Sequence, residues 1–202
     1  MIHPDTELRF ISDAIGYGVV AKKFIPQGTI TWVQDELDRT FTAKQETMLS
    51  PLMQQYLETY CFTNSKGEKV LCWDNAKFVN HSFNSSCIST AYDFEIAVRD
   101  IHPGEQLTDD YGYLNISEPF EAVDEGVDRK VVYPDDLLKF YSVWDAAIMA
   151  NLPRLKILEQ PLIRFIPQET DVEITSVING TSKLRSLLSC YYDPAKNNAT
   201  II

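Results

Sequence analysis

The spacing of apolar positions changes along this chain, and each change predicts an element. From Leu8 to Val33 the apolar residues come in short clusters, Leu8 and Phe10, then Val19, Val20, Phe24 and Ile25, cut by Gly16, Gly18 and Pro26-Gln27-Gly28. Short clusters broken by turn residues predict β-strands. Between Thr42 and Thr63, Met48, Leu52, Met53, Tyr56, Leu57 and Tyr60 recur at three- and four-residue spacing, which predicts an amphipathic helix, with Ser50-Pro51 suited to start its second part. Strand character returns at Lys69-Val70-Leu71-Cys72-Trp73, after the polar turn Asn64-Ser65-Lys66-Gly67. It returns again as alternation at Phe94, Ile96 and Val98, stopped by His102-Pro103-Gly104.

Past Gly112 the texture differs. Residues Asn115 to Asp128 are acidic and poor in apolar side chains, and Leu137, Leu138, Tyr141, Trp144, Ile148 and Met149 then mark a second helix. Pro134 suits its first turn, and Asp135 and Asp136 suit the positive end of its dipole. A strand is expected at Val172 to Ile178, and the closing DPAKNNATII reads as loose.

Composition limits the choices. The chain has 202 residues, 45 % of them hydrophobic and 11 % aromatic, so it folds as one decorated domain or two small lobes that share a core. It holds no run of about eighteen apolar residues, and MIHPDTELRF lacks the pattern of a secretory signal, which points to the cytoplasm or nucleus. The sequons at Asn84, Asn115, Asn179 and Asn198 carry little weight without such a signal. Cys61, Cys72, Cys87 and Cys190 form no CxxC, so they read as buried small apolar groups before a zinc site or disulfide framework. The net charge of −11 disfavours direct binding to nucleic acid and favours a basic protein segment.

Three segments carry chemistry. Ile15-Gly16-Tyr17-Gly18-Val19 places two glycines around one residue, where backbone groups can approach a ligand, although a lone GxG is more often a turn, and the dinucleotide fingerprint does not fit. Phe78-Val79-Asn80-His81-Ser82 offers an amide beside an imidazole, or simply a turn. Gly104 to Gly112 ends on Tyr111, whose hydroxyl in a narrow pocket can accept a hydrogen bond from an amine.

Taken in order, these segments resemble the SET-domain protein-lysine N-methyltransferases. IGYGVVAKKFIPQGT looks like that family's opening glycine motif, FVNHSF and EIAVRDIHPGEQLTDDYGY look like its second motif, and the likeness runs from about Leu8 to Leu114. It implies a mainly β fold, the SET-domain β-clip of short curved sheets with a knot-like crossing between the Asn-His and Tyr segments. An inserted helix at about 42–63 and a C-terminal helical extension complete the expectation. The corresponding division is a SET domain at 1–115 and an extension at 116–202 that closes the pocket. The implied cofactor is S-adenosylmethionine, bound by Gly16, Tyr17, Gly18, Asn80, His81 and Tyr111, with Tyr111 catalytic. The implied partner is a basic protein substrate, such as a histone, a histone-like or a ribosomal protein.

The departures from that pattern are specific. Phe83 stands where many members have a zinc-binding Cys, and Glu118 to Val132 has no cysteine, so no metal is expected. The helix at Leu137 to Met149 is then expected to close the pocket, with Phe120, Tyr133 or Trp144 as its aromatic cover. Asp109 occupies a position that is commonly Phe or Tyr, with Tyr92 expected near the same space, and Ser85-Ser86 replaces a frequent Pro-Asn pair. These departures also support a second reading, a SET-fold binding or scaffold protein with little turnover. Leu152, Leu155, Leu158 and Leu162 allow a homodimer interface or, more ordinarily, a face packed within the chain.

Overall fold

The computed structural model describes residues 1–194 of the chain. The expectation of loose residues after Pro194 lies outside the described residues.

The broken apolar clusters at the start form a hairpin. Strand β1 (Thr6–Ser12) pairs antiparallel with β2 (Gly16–Ala21), and Gly16 at the turn has φ +81°, a conformation that favours glycine. Strand β3 (Ile30–Val33) follows, then β4 (Arg39–Phe41). The predicted helix is two helices. Helix α1 (Ala43–Thr47) opens with a capping box between Thr42 and Gln45. Helix α2 (Pro51–Tyr60) starts with Ser50 as N-cap and Pro51 in its first turn. The helical insert ends before Thr63, because β5 (Cys61–Thr63) is a strand paired with β6 (Lys69–Leu71), which in turn pairs with β4.

Strands β7 (Asn80–His81), β8 (Cys87–Ser89), β9 (Phe94–Ala97) and β10 (Thr108–Asp109) build the centre. The order β3-β9-β8 makes an antiparallel sheet, while β10 pairs parallel with β7, Thr108 opposite Asn80 and Asp109 opposite His81. A small hairpin, β11 (Phe120–Glu121) with β12 (Val131–Val132), leads to helix α3 (Asp136–Asn151) and helix α4 (Gln168–Ile178). The result is a set of short sheets with inserted and C-terminal helices and no closed barrel.

Residues 104–109 run between two partners. On one side the Leu107 amide donates to the Val19 carbonyl and the Ala21 amide to the Glu105 carbonyl; on the other, the Ser82 amide donates to the Asp109 carbonyl. Ser86, wholly buried, tightens the crossing: its hydroxyl donates to the Gln106 carbonyl at 3.2 Å and accepts from the Thr108 amide at 2.9 Å.

One core joins the sheet to the C-terminal helices. Ile30, Ile88, Phe94 and Ile96 from β3, β8 and β9 pack with Leu137, Trp144, Ile148 and Leu152. Leu152, Leu155 and Leu162 are buried within this chain, so they serve the intramolecular face. The strand expected at Val172 to Ile178 is instead α4: Ile174 and Val177 are both buried, so the spacing that packs on the core is helical. β-branched residues there carry strand propensity that tertiary packing overrides. Among the described residues no helix is long and apolar enough to cross a membrane. The four cysteines are free thiols, Cys72 and Cys87 buried.

Ile148 is wholly buried in that shared core. Ile148→Ala should lower unfolding stability by about 2–5 kcal/mol. Urea unfolding followed by far-UV and near-UV circular dichroism should give one coincident transition, and a separate early step for the C-terminal helices would contradict a single core.

Candidate active site

The crossing brings the predicted residues together. Asn80 on β7 donates from Nδ2 to the Tyr17 carbonyl at 3.1 Å and to Gln106 Oε1 at 3.0 Å. Gly18 lies directly beneath: a Cβ there would come within 2.5 Å of Gln106 Oε1 and 2.7 Å of Asn80 Nδ2. The glycine is therefore required by the protein's own amide pair rather than only by an incoming ligand. Gly16 serves the hairpin turn, and the Tyr17 side chain is exposed, edge-on to Phe10 with ring centroids 5.7 Å apart.

His81 and Tyr111 hold each other. The Tyr111 amide donates to His81 Nδ1 at 3.1 Å, which assigns the imidazole proton to Nε2. Nε2 is buried and has no hydrogen-bond partner among the described residues. Burial pushes the imidazole below its ordinary value of 6.5, which keeps it neutral. The Tyr111 hydroxyl donates to the Val79 carbonyl at 2.8 Å, and burial raises its pKa, so it stays a phenol at neutral pH.

Aromatic rings enclose this pair. Phe83 packs edge-on to His81 at 4.4 Å, and Phe120 sits 5.7 Å from His81 and 6.1 Å from Tyr111. Of the three expected covers, Phe120 is the one placed here. Trp144 packs edge-on to Tyr113 at 5.2 Å in the core, and Tyr133 lies under the Lys139 ammonium at 5.2 Å. The cover accordingly comes from the β11–β12 hairpin, not from α3. The reason is the hairpin's anchoring: Glu125 Oε2 accepts from the Ser82 hydroxyl and from the Phe83 and Asn84 amides, clamping the loop after His81.

Arg129 fixes the same hairpin from below. Its guanidinium bonds Asp110 and Asp136, the latter at 2.8 Å, and lies 4.5 Å from the Phe83 and Phe140 ring centroids. Phe83 therefore works as a packed ring between His81 and an arginine. Among the described residues no group of three or more His, Cys, Asp or Glu converges as a metal site.

Tyr111 also lines a cavity of about 800 Å³, together with Val79, Glu95, Asp109, Tyr113 and Phe120. Gly16, Tyr17, Gly18, Asn80 and His81 do not line it. The tyrosine is thus the member of the predicted set shared by the β2–β7 side and the cavity. Tyr92, expected near Asp109, instead accepts from the Arg185 amide at 2.9 Å and is not part of that lining, because it stacks on Phe94 in the core. Sequence reasoning missed Glu95, Glu125 and Arg129. Alternation puts Glu95 opposite Phe94 and Ile96, on a presumed solvent face, and the acidic stretch around Glu125 has the texture of a solvated loop.

The β2–β7 side fits the S-adenosylmethionine that the sequence implied, on one observation: a buried Nε2–H on His81 with no partner among the described residues, next in the chain to Asn80, which bonds the Tyr17 carbonyl. Removing the bridge from that wall leaves Asp110 without its cation and Asp136 with only Lys139 at 3.9 Å, both carboxylates 2 % exposed. Arg129→Met should cost about 3–5 kcal/mol, read by chemical denaturation, whereas a loss under about 1 kcal/mol would mean the bridge does not hold the hairpin. Nitrogen-15 spectra at pH 7 should show His81 protonated on Nε2 alone, with a titration midpoint below 6.5; a midpoint above it would contradict the buried neutral ring.

The family model for the SET domain matches residues 16–112. No curated protein matches the chain. A solved structure from Plasmodium falciparum, described as a "putative histone methyltransferase", is 16 % identical, with a TM-score of 0.41 over 55 % of this chain and 95 % of that one. The matched stretch runs from the glycine turn of β2 through the Asn80-His81 strand to Tyr111, and over those residues this chain is a SET domain.

Proposed function

We propose that the protein transfers a methyl group from S-adenosylmethionine to the ε-amine of a lysine in a basic protein. The observation that carries this reading is Tyr111, which lines the cavity while its ring lies 5.3 Å from that of the neutral His81. S-adenosylmethionine supplies, when bound, an electrophilic methyl group on a sulfonium. The backbone at Gly16, Tyr17 and Gly18, the Asn80 loop and the free Nε2–H of His81 are the groups that would hold it.

The chemistry of the remaining residues fits amine alkylation. Because the Tyr111 hydrogen is committed to the Val79 carbonyl, its oxygen is left as an acceptor for an amine N–H. Such a bond orients the nitrogen lone pair, and alignment of two reactants supplies most of the acceleration in a displacement of this kind. With its pKa raised by burial, Tyr111 stays a protonated phenol at neutral pH, so it positions the amine rather than deprotonating it. The net charge of −11 favours a Lys/Arg-rich segment, such as a histone, histone-like or ribosomal protein tail, met in the cytoplasm or nucleus.

Incubation of the protein with mixed basic proteins and tritiated S-adenosylmethionine should label lysine, with the methyl count read by mass spectrometry. Tyr111→Phe should reduce incorporation by about 10²-fold or more. Label that is unchanged in this variant would overturn the role of the tyrosine. A wild-type protein that binds S-adenosylhomocysteine but labels nothing would favour the scaffold reading.

A further inference from the structure

The side-chain amides of Asn80 and Gln106 form a pair whose orientation the backbone dictates. A carbonyl oxygen can only accept, so the Tyr17 carbonyl, 3.1 Å from Asn80 Nδ2, decides which end of that amide faces it. The second Nδ2 hydrogen goes to Gln106 Oε1 at 3.0 Å. Both hydrogens of the Asn80 amide are thereby committed. What Asn80 has left for a ligand is Oδ1, to which nothing donates among the described residues.

Gln106 is built into this place from three directions. Its carbonyl accepts from the Ser86 hydroxyl at 3.2 Å, and the amide of the next residue, Leu107, donates to the Val19 carbonyl at 2.9 Å. Gly18 makes room for its side chain, since a Cβ there would come within 2.5 Å of Oε1. Asn80 and Gln106 are both half-buried. One hydrogen bond, to Tyr17, would leave the Asn80 carboxamide free to swing about that contact; the second, to Gln106, fixes its plane. The next residue, His81, offers the opposite chemistry, a donor at Nε2. Two adjacent side chains thus present one acceptor and one donor. Of the N–H groups on S-adenosylmethionine, the α-ammonium makes the strongest bond to such an acceptor, because it is charged.

We propose that Gln106 is a positioning residue of the cofactor site, holding the Asn80 carboxamide in the orientation that offers Oδ1 to the α-ammonium of S-adenosylmethionine. The proposal rests on the methyl-transfer reading and deepens it. Gln106 acts through Asn80, so its own side chain need not touch the cofactor. The role requires only an acceptor at this position: a Glu side chain supplies one and a Leu side chain does not.

The test has two arms, and neither needs turnover. In ligand-free wild-type protein, nuclear magnetic resonance should show both Nδ2 hydrogens of Asn80 exchanging with water about fivefold or more slower than those of an exposed side-chain amide, as two hydrogen bonds require. Free exchange of either hydrogen overturns the proposal, and this arm stands whether or not a variant folds. In the second arm, calorimetry compares S-adenosylhomocysteine, which keeps the α-ammonium, with its desamino analogue, and thermal unfolding monitors the fold of each variant. Wild type should prefer the amine-bearing ligand by about tenfold or more, the scale of a hydrogen bond to a charged group. Gln106→Leu should cut that preference by about fivefold, whereas Gln106→Glu should keep it. A preference undiminished in Gln106→Leu, even if both affinities fall together as a merely structural role would make them, overturns the proposal, as does its loss in Gln106→Glu. A wild type that binds both ligands equally overturns the proposal alone. One that binds neither overturns the methyl-transfer reading and, with it, the role of Gln106.

Discussion

Residues 104–113 are held from both sides, by β2 on one and by the 80–86 loop on the other, and every feature of the site follows from that arrangement. The hydrogen bonds involved are few and individually modest, on the order of 1 kcal/mol each. Their value lies in geometry. Ser86 fixes the register by bonding both Gln106 and Thr108, so Asp109 must face His81 across β10 and β7. With the register set, the Tyr111 amide meets His81 Nδ1 and its hydroxyl meets the Val79 carbonyl. A slip of one residue would turn Asp109 to the other face of β10.

The rest of the chain supports this crossing. The sheet β3-β9-β8 carries Glu95 to the cavity and shares its apolar face with α3, which supports the site from behind, while Arg185, Leu187, Ser189 and Cys190 of the C-terminal part line the cavity itself. The β11–β12 hairpin works from the front. Glu125 grips the loop after His81, while Arg129 joins the carboxyls of Asp110 and Asp136 and stacks on Phe83. Phe83 is thus a packed ring, and an ion-pair bridge supplies the cross-link nearby.

The electrostatics divide the site into two parts. Around His81 burial favours the neutral imidazole, leaving a donor free. In the cavity acids and bases both line the wall, Glu95 and Asp109 with Lys66, Lys69, Lys77 and Arg185, and the phenols of Tyr111 and Tyr113 remain protonated. Tyr111 joins the two parts, its ring 5.3 Å from that of His81 and its side chain in the cavity lining.

Much of this was legible in the linear chain. Local signals gave the broken strands at the start, the Ser50-Pro51 helix start and the helix at Leu137 to Met149. The order of the glycine, Asn80-His81 and Tyr111 segments gave the family, because those residues sit where backbone geometry leaves little choice. What sequence could not supply were the pairings made over long separations. Val172 to Ile178 became a helix because Ile174 and Val177 had a core to meet, and Glu95 became buried because its face of β9 looks into a cavity rather than water. Phe120 was singled out from Tyr133 and Trp144 only by the hairpin that Glu125 and Arg129 anchor. Periodicity reports which side of an element is apolar; which partner that side meets, and whether the opposite side faces solvent or a pocket, is decided by the folded chain.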